Sequence, residues 1–251
     1  MAESRSVIKL VGVAGIALLA LTSGALADGY EGSIKDAPAK PEREFTYSFS
    51  ITGTSDYVFR GVSQTDNDPT IQGAINIGYG IFYAGAWASG VDFVSGTETG
   101  NVEVDYYAGI KPTWGAATFD LGVIYYTYPG WVDDSEILEL KAGVSGEVAK
   151  GLTLGATYYY SPDYNDFDYG VYEFSAGYAL PKVWVFDPSV TGQYGYFDNY
   201  SGSGDYSYWN AGLVLAVDKI TFDLRYWDTD ISPSSSTSDE RFVFSTTVAL
   251  P

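Results

Sequence analysis

Large apolar side chains alternate with small or polar ones along a dozen short stretches of this chain, and many of the large ones are aromatic. In the first, Phe45, Tyr47, Phe49 and Ile51 alternate with Thr46, Ser48, Ser50 and Thr52. A repeat of two places successive side chains on opposite faces of a β-strand. Helical periodicity is absent. The pattern predicts strands near residues 45–60, 69–79, 81–91, 101–111, 116–127, 136–147, 151–161, 169–180, 186–197, 205–217, 219–228 and 240–250. The fold class is therefore all-β, and the open matter is which face is buried. A soluble sandwich turns its bulky faces into a core. A transmembrane antiparallel up-and-down β-barrel, here of about 12 strands, turns them into lipid and keeps the polar face for its lumen.

The connections separate the two. Long ones (Ser63–Pro69, Asp92–Gly100, Pro129–Ser135, Pro162–Asp168, Asn199–Gly204, Thr229–Asp239) alternate with short ones at Tyr79-Gly80, Pro112–Gly115, Ala149-Lys150, Pro181–Val185 and Asp218-Lys219. A barrel with one rim outside the cell and one in the periplasm has this alternation; Greek-key crossings give no reason for it. Charge follows the same division. Aspartates crowd the long connections, while Lys111, Lys150, Lys182 and Lys219 sit at or beside the short ones. Solvation explains any one acidic loop, but not lysine at the opposite rim. The barrel is the preferred architecture.

Composition narrows the function classes. Residues 1–27 read as a secretory signal peptide: Arg5 and Lys9, an apolar run from Leu10 to Leu21, then Ala25-Leu26-Ala27 as a small-x-small cleavage site. The run is short for a membrane anchor, which needs about 20 apolar residues. Residues 28–43, with Pro38 and Pro41, read as a flexible periplasmic leader, and 44–251 as the barrel. There is no Cys and no His. That removes disulfides, ordinary zinc and copper sites, and Ser-His-Asp or Cys-His catalysis. No catalytic residue, cofactor or metal site is read, and an enzyme is not expected. Asp66-Asn67-Asp68 spaces hard oxygens as a calcium loop does, but without that loop's glycine and distal glutamate, and turns favour Asp and Asn anyway. A net charge of −19 argues against nucleic acid as a partner.

Phasing the strands divides their residues. Val102, Val104, Tyr106, Ala108 and Ile110 oppose Glu103, Asp105, Tyr107 and Gly109; Leu138, Leu140, Ala142 and Val144 oppose Glu139, Lys141, Gly143 and Ser145. In the barrel, the second set faces the lumen. Candidate pore-lining residues are then Arg60, Glu103, Asp105, Asp120, Glu139, Lys141, Glu173, Asp223, Arg225 and Arg241, with Asp56 beside them. Two readings stay open: an acid-biased aqueous wall with an arginine cluster formed by Arg60, Arg225 and Arg241, or charges that pair across strands and fill a narrow lumen. Tyr57, Tyr125, Tyr158, Tyr160, Tyr194, Tyr196 and Tyr226 fall near strand ends, where an interfacial aromatic belt would lie.

The segment Ser55-Asp56-Tyr57-Val58-Phe59-Arg60-Gly61-Val62-Ser63-Gln64-Thr65, followed by Asp66-Asn67-Asp68-Pro69, Phe82-Tyr83-Ala84-Gly85 and Trp87-Ala88-Ser89, resembles the TorF family of Gram-negative porins. The specific motif covers the first hairpin and its neighbour. The resemblance implies an outer-membrane barrel, a passive pore for small hydrophilic solutes, and no catalytic residues. Lipid and lipopolysaccharide are the expected surroundings. A closed barrel with a structural or surface role, and a secreted sandwich that binds through exposed aromatics, are the alternatives.

Overall fold

The computed structural model describes residues 45–95, 98–131, 136–164, 167–200 and 204–250. The expected signal peptide and leader lie outside the described residues. Alternating stretches that cannot bury both faces in one sheet form strands that pair edge to edge. The strands are β1 (Phe45–Thr54), β2 (Val58–Phe59), β3 (Val62–Ser63), β4 (Thr70–Tyr79), β5 (Phe82–Ser95), β6 (Glu98–Ile110), β7 (Thr113–Trp114) and β8 (Ala117–Thr127). They continue as β9 (Ile137–Ala149), β10 (Leu152–Tyr164), β11 (Phe167–Ala179), β12 (Asp187–Asn199), β13 (Tyr206–Val217), β14 (Ile220–Thr229) and β15 (Arg241–Leu250).

Twelve of these, all but the two-residue β2, β3 and β7, make one closed antiparallel barrel in which each strand pairs with its neighbours in sequence. The first and last strands complete it: Phe49 pairs with Leu250 and Thr54 with Ser245 across β1 and β15. Closure leaves no strand as a free edge, although the ladders are staggered and residues 45–48 of β1 extend past their pairing with β15. The twelve strands correspond to the twelve stretches of alternation, with one correction. The first strand ends at Thr54 rather than near residue 60. The alternation continues past Thr54, but the chain leaves the wall there and folds inward.

At the rim beside Phe45, connections are tight. Tyr79 pairs with Phe82 across Gly80-Ile81, and Val217 with Ile220 across Asp218-Lys219. Two-residue hairpins need a positive φ, which Gly80 (61°) and Asp218 (51°) supply. Long connections gather at the opposite rim.

The outward face is apolar. Phe45, Tyr47, Phe49 and Ile51 lie exposed beside Tyr79, Ile77 and Ile75 of β4, and on the far side of β1 the rings of Phe222 and Phe244 stack at 6.5 Å. The inner face holds charge and small residues, as phased, but also a ring cluster the phasing did not anticipate. Tyr126, Tyr169, Tyr208, Ile137 and Val171 are almost fully buried inside the barrel, in the half nearer the long connections. Tyr57 belongs to this cluster and not to an interfacial belt. Small residues make room for the rings: a methyl at Gly195 would lie 2.1 Å from Tyr208.

An outward arginine tests which medium the apolar face meets. Phe49→Arg is expected to destabilise the folded barrel in phospholipid vesicles by about 2–4 kcal/mol, read by chemical unfolding. A change within about 0.5 kcal/mol would show that this face does not meet lipid.

Candidate functional site

After Thr54 the chain turns into the barrel as a hairpin spanning residues 55–67. Ser55 still belongs to the wall: its amide donates to the Phe244 carbonyl at 2.9 Å, and its hydroxyl accepts from the Phe244 amide at 2.9 Å. Asp56 then knots the base. Its Oδ1 accepts from the hydroxyls of Ser63 (2.6 Å) and Thr65 (2.8 Å), and its Oδ2 from Arg241 at 3.2 Å. The returning arm is tied to two other parts of the molecule. Ser63 donates its amide to the Thr237 carbonyl, and the Gln64 carbonyl accepts from the Asp92 amide, both at 2.8 Å.

Within the hairpin, Val58 pairs with Ser63 and Phe59 with Val62, leaving Arg60-Gly61 as a two-residue turn. Both turn residues have positive φ, 46° for Arg60 and 83° for Gly61. Such turns match strand twist but ordinarily use Asn-Gly, because a side chain at positive φ is strained. Gly61 has a second reason to be glycine. A methyl there would sit 2.3 Å from Thr229 Cγ2 on β14 and 2.9 Å from Tyr208 Cβ on β13.

The strained turn delivers Arg60 to a prepared receptor. Its guanidinium donates to both carboxylate oxygens of Glu139 on β9, at 2.7 and 3.1 Å. The same carboxylate accepts the hydroxyls of Tyr126 (2.8 Å) and Tyr169 (2.7 Å). Phe59 and Tyr159 place ring faces 4.5 and 5.1 Å from the guanidinium carbon. Burial is the largest single influence on Arg60 and opposes its charge, but Glu139 together with the surrounding Tyr169, Tyr208 and Tyr126 more than offsets it and keeps the guanidinium protonated. A fork-to-fork pair, ring faces and two phenols together offset much of the cost of burying these charges, with the Arg60 Nε–H left without a hydrogen-bond partner.

The remaining candidate residues separate into distinct groups. Glu103 and Asp105 on β6 lie beside the hairpin with no exposed surface, like Glu139. Glu173 on β11 accepts the Tyr208 hydroxyl. Nearer the short-turn rim, Asp120 meets Lys141 at 2.7 Å, Lys111 at 3.5 Å and the Tyr83 hydroxyl at 2.7 Å. Arg225 pairs with Asp223 at 2.7 Å and donates to Thr191 at 2.8 Å. The expected arginine cluster does not form. Arg60, Arg225 and Arg241 each bind a different carboxylate, because the hairpin carries Arg60 away from β1 and across the lumen. Arg241 also holds Asn67, in the Asp66-Asn67-Asp68 turn. Among the described residues, no group of three or more metal-ligating side chains is present.

The hairpin itself was missed by the sequence reading. Its signal is Val58-Phe59-Arg60-Gly61-Val62-Ser63, two apolar-rich pairs around a Gly-containing turn. Arginine at the first turn position hides that signal.

Glu139→Gln leaves Arg60 buried without its counter-charge. Seating of the hairpin is expected to weaken by about 3–5 kcal/mol, read as faster amide hydrogen exchange across residues 57–65. Combining it with Arg60→Met should restore most of the protection. A loss under about 1 kcal/mol would show that the pair does not hold the hairpin.

Two solved structures share the barrel. One titled as KdgM porin superposes with a TM-score of 0.58 at 8% identity, over 81% of this chain and 99% of that one. Another, of NanC porin, gives 0.54 at 11% identity, over 80% and 97%. At such identities the likeness concerns the fold: a closed antiparallel barrel of the porin type. Curated proteins yield no match. The model of one protein family covers residues 38–250, a span that includes every described strand. The chain belongs to that family, described as a bacterial protein of unknown function (Gcw_chp).

Proposed function

We propose that this protein is an outer-membrane channel that passes small hydrophilic solutes passively, with a mild preference for cations. The observation that carries the reading is a closed twelve-strand barrel with an apolar outer face and charged residues on its inner one. An apolar exterior of this extent suits lipid, and polar side chains on the inside suit water-borne solutes. The porin fold of KdgM and NanC supports the same reading, as does the resemblance of the hairpin motif to the TorF porins. Lipid and lipopolysaccharide are then the surroundings, and export would run through a cleaved signal peptide.

The cation preference rests on wall charge. Carboxylates at Asp56, Glu103, Asp105, Asp120, Glu139, Glu173 and Asp223 outnumber the bases at Arg60, Lys141, Arg225 and Arg241. In this reading they act as wall charges with no catalytic role, the buried Glu103, Asp105 and Glu139 only once the hairpin has left its seat.

A second reading has its own support. Glu103, Asp105 and Glu139 have no exposed surface, so the lumen at their level is filled by the hairpin and its rings. That favours a closed barrel with a structural or surface role. Conductance in planar bilayers distinguishes the two. The channel reading expects stepwise currents with potassium favoured over chloride, and unitary conductance larger by about twofold or more in Arg60→Ser, whose hairpin has lost its anchor. Absence of steps at any voltage in both proteins would leave the closed barrel.

A further inference from the structure

Glu103 and Asp105 form the one fully buried acidic pair among the described residues that no ion pair compensates. Both have no exposed surface, and both oxygens of Asp105 and Oε2 of Glu103 lack a hydrogen-bond partner. Two positions apart on β6, the two side chains lie on the same inward face. The groups around them come from each neighbouring element. Tyr57 lies on the hairpin, Tyr126 on β8, Tyr128 just beyond β8, Tyr107 further along β6, and Glu139 on β9. On β5, the neutral Ser89 and Trp87 pair in register with Glu103 and Asp105. The phenols are uncharged, and Glu139 is already taken by Arg60. Among the described residues, no cation faces the pair.

The hairpin is what seals it. Tyr57 is 6% exposed, its ring packs edge-on against Trp87 at 5.2 Å, and its hydroxyl faces Glu103 without a close partner. Two carboxylates confined together with no accessible surface and no described basic side chain beside them cannot both carry charge, since the self-energy of each and their repulsion both oppose it. Two carboxyl groups are too few oxygens to replace the shell of a hard divalent cation in a site closed to water.

We propose that Glu103 and Asp105 share one proton beneath the seated hairpin, so that the pair acts as a pH-sensitive latch. In the seated state, the hydroxyl of one carboxyl donates to an oxygen of the other. When hydroxide takes that proton as water, two charges remain in a dry pocket. The hairpin must then lift to hydrate them. Seating is therefore complete at acidic pH and is lost as pH rises. With one proton linked, the ratio of seated to lifted hairpin falls by up to about tenfold per pH unit. On the channel reading above, lifting also widens the lumen.

The chain contains no cysteine, so a single introduced thiol reports on the hairpin. The full-length protein, folded into phosphatidylcholine vesicles, carries Val62→Cys on the hairpin or Ser234→Cys on an exposed loop. Each is reacted with a bulky polar maleimide between about pH 5 and pH 9. The ratio of the two rates cancels the ionisation of the thiol itself. The latch predicts a ratio that climbs with pH, and a low, flat ratio in Asp105→Asn, whose amide replaces the shared proton with a permanent donor. Glu103→Gln provides the same replacement from the other side, should one variant fail to fold. A flat ratio in the parent background would overturn the proposal, as would an equal climb in both amide variants. So would a ratio at fixed pH that changes on adding calcium or a chelator, since that would mark a bound cation. Labelling reads the hairpin whether or not the barrel conducts, so failure of the latch is separable from failure of the channel.

Discussion

The buried pair between Arg60 and Glu139 organises the interior of this barrel. Around it stand the phenols of Tyr126 and Tyr169, the rings of Phe59 and Tyr159, and a turn that accepts arginine at positive φ. An ion pair with no solvent access stabilises only when its geometry is good and its remaining hydrogen-bonding capacity is met. Here the bidentate contact and two phenol donors meet that condition at the carboxylate. The turn that carries the guanidinium lies flush against Thr229 and Tyr208, which leaves no room for a side chain at Gly61.

The barrel around this pair has two unlike halves. In the half nearer the long connections, the hairpin and inward aromatic rings make a packed core like that of a soluble protein. In the half nearer the short turns, the inward charges pair along and between strands and retain exposure, as with Asp120, Lys141 and Lys111. The wall is held by its closed ladder, while the plug is held by a few side-chain contacts and backbone hydrogen bonds at its base and by the Arg60–Glu139 pair at its tip. A structure built this way can change the plug without dismantling the wall, because the two draw on different interactions.

Much of the architecture was legible from the chain alone. The ends of eleven barrel strands lie within a few residues of the alternation, and the phasing of Glu103 and Asp105 against Val102, Val104 and Tyr106 matches the inward and outward faces of β6. The first strand was read too long because the alternation of β1 runs on through Tyr57 and Phe59, which keep the pattern while leaving the wall. Local periodicity has no means of marking that departure. Tyr57 was misassigned for the same reason: an aromatic near a strand end reads alike whether it meets an interface or a lumen.

What the sequence determined by itself was a pattern of faces. Period-two alternation, loop lengths and the placement of lysine are local properties, and a closed antiparallel barrel is the arrangement that satisfies them together. What only the tertiary structure decided was which inward charges meet. Arg60 and Glu139 are separated by 79 positions and lie on opposite sides of the lumen until the hairpin crosses it. Asp56 and Arg241 are brought together by closure of β1 on β15 across 185 positions. Such pairings depend on where the chain bends inward and how the ring of strands closes, and neither is written in the repeat of any single strand.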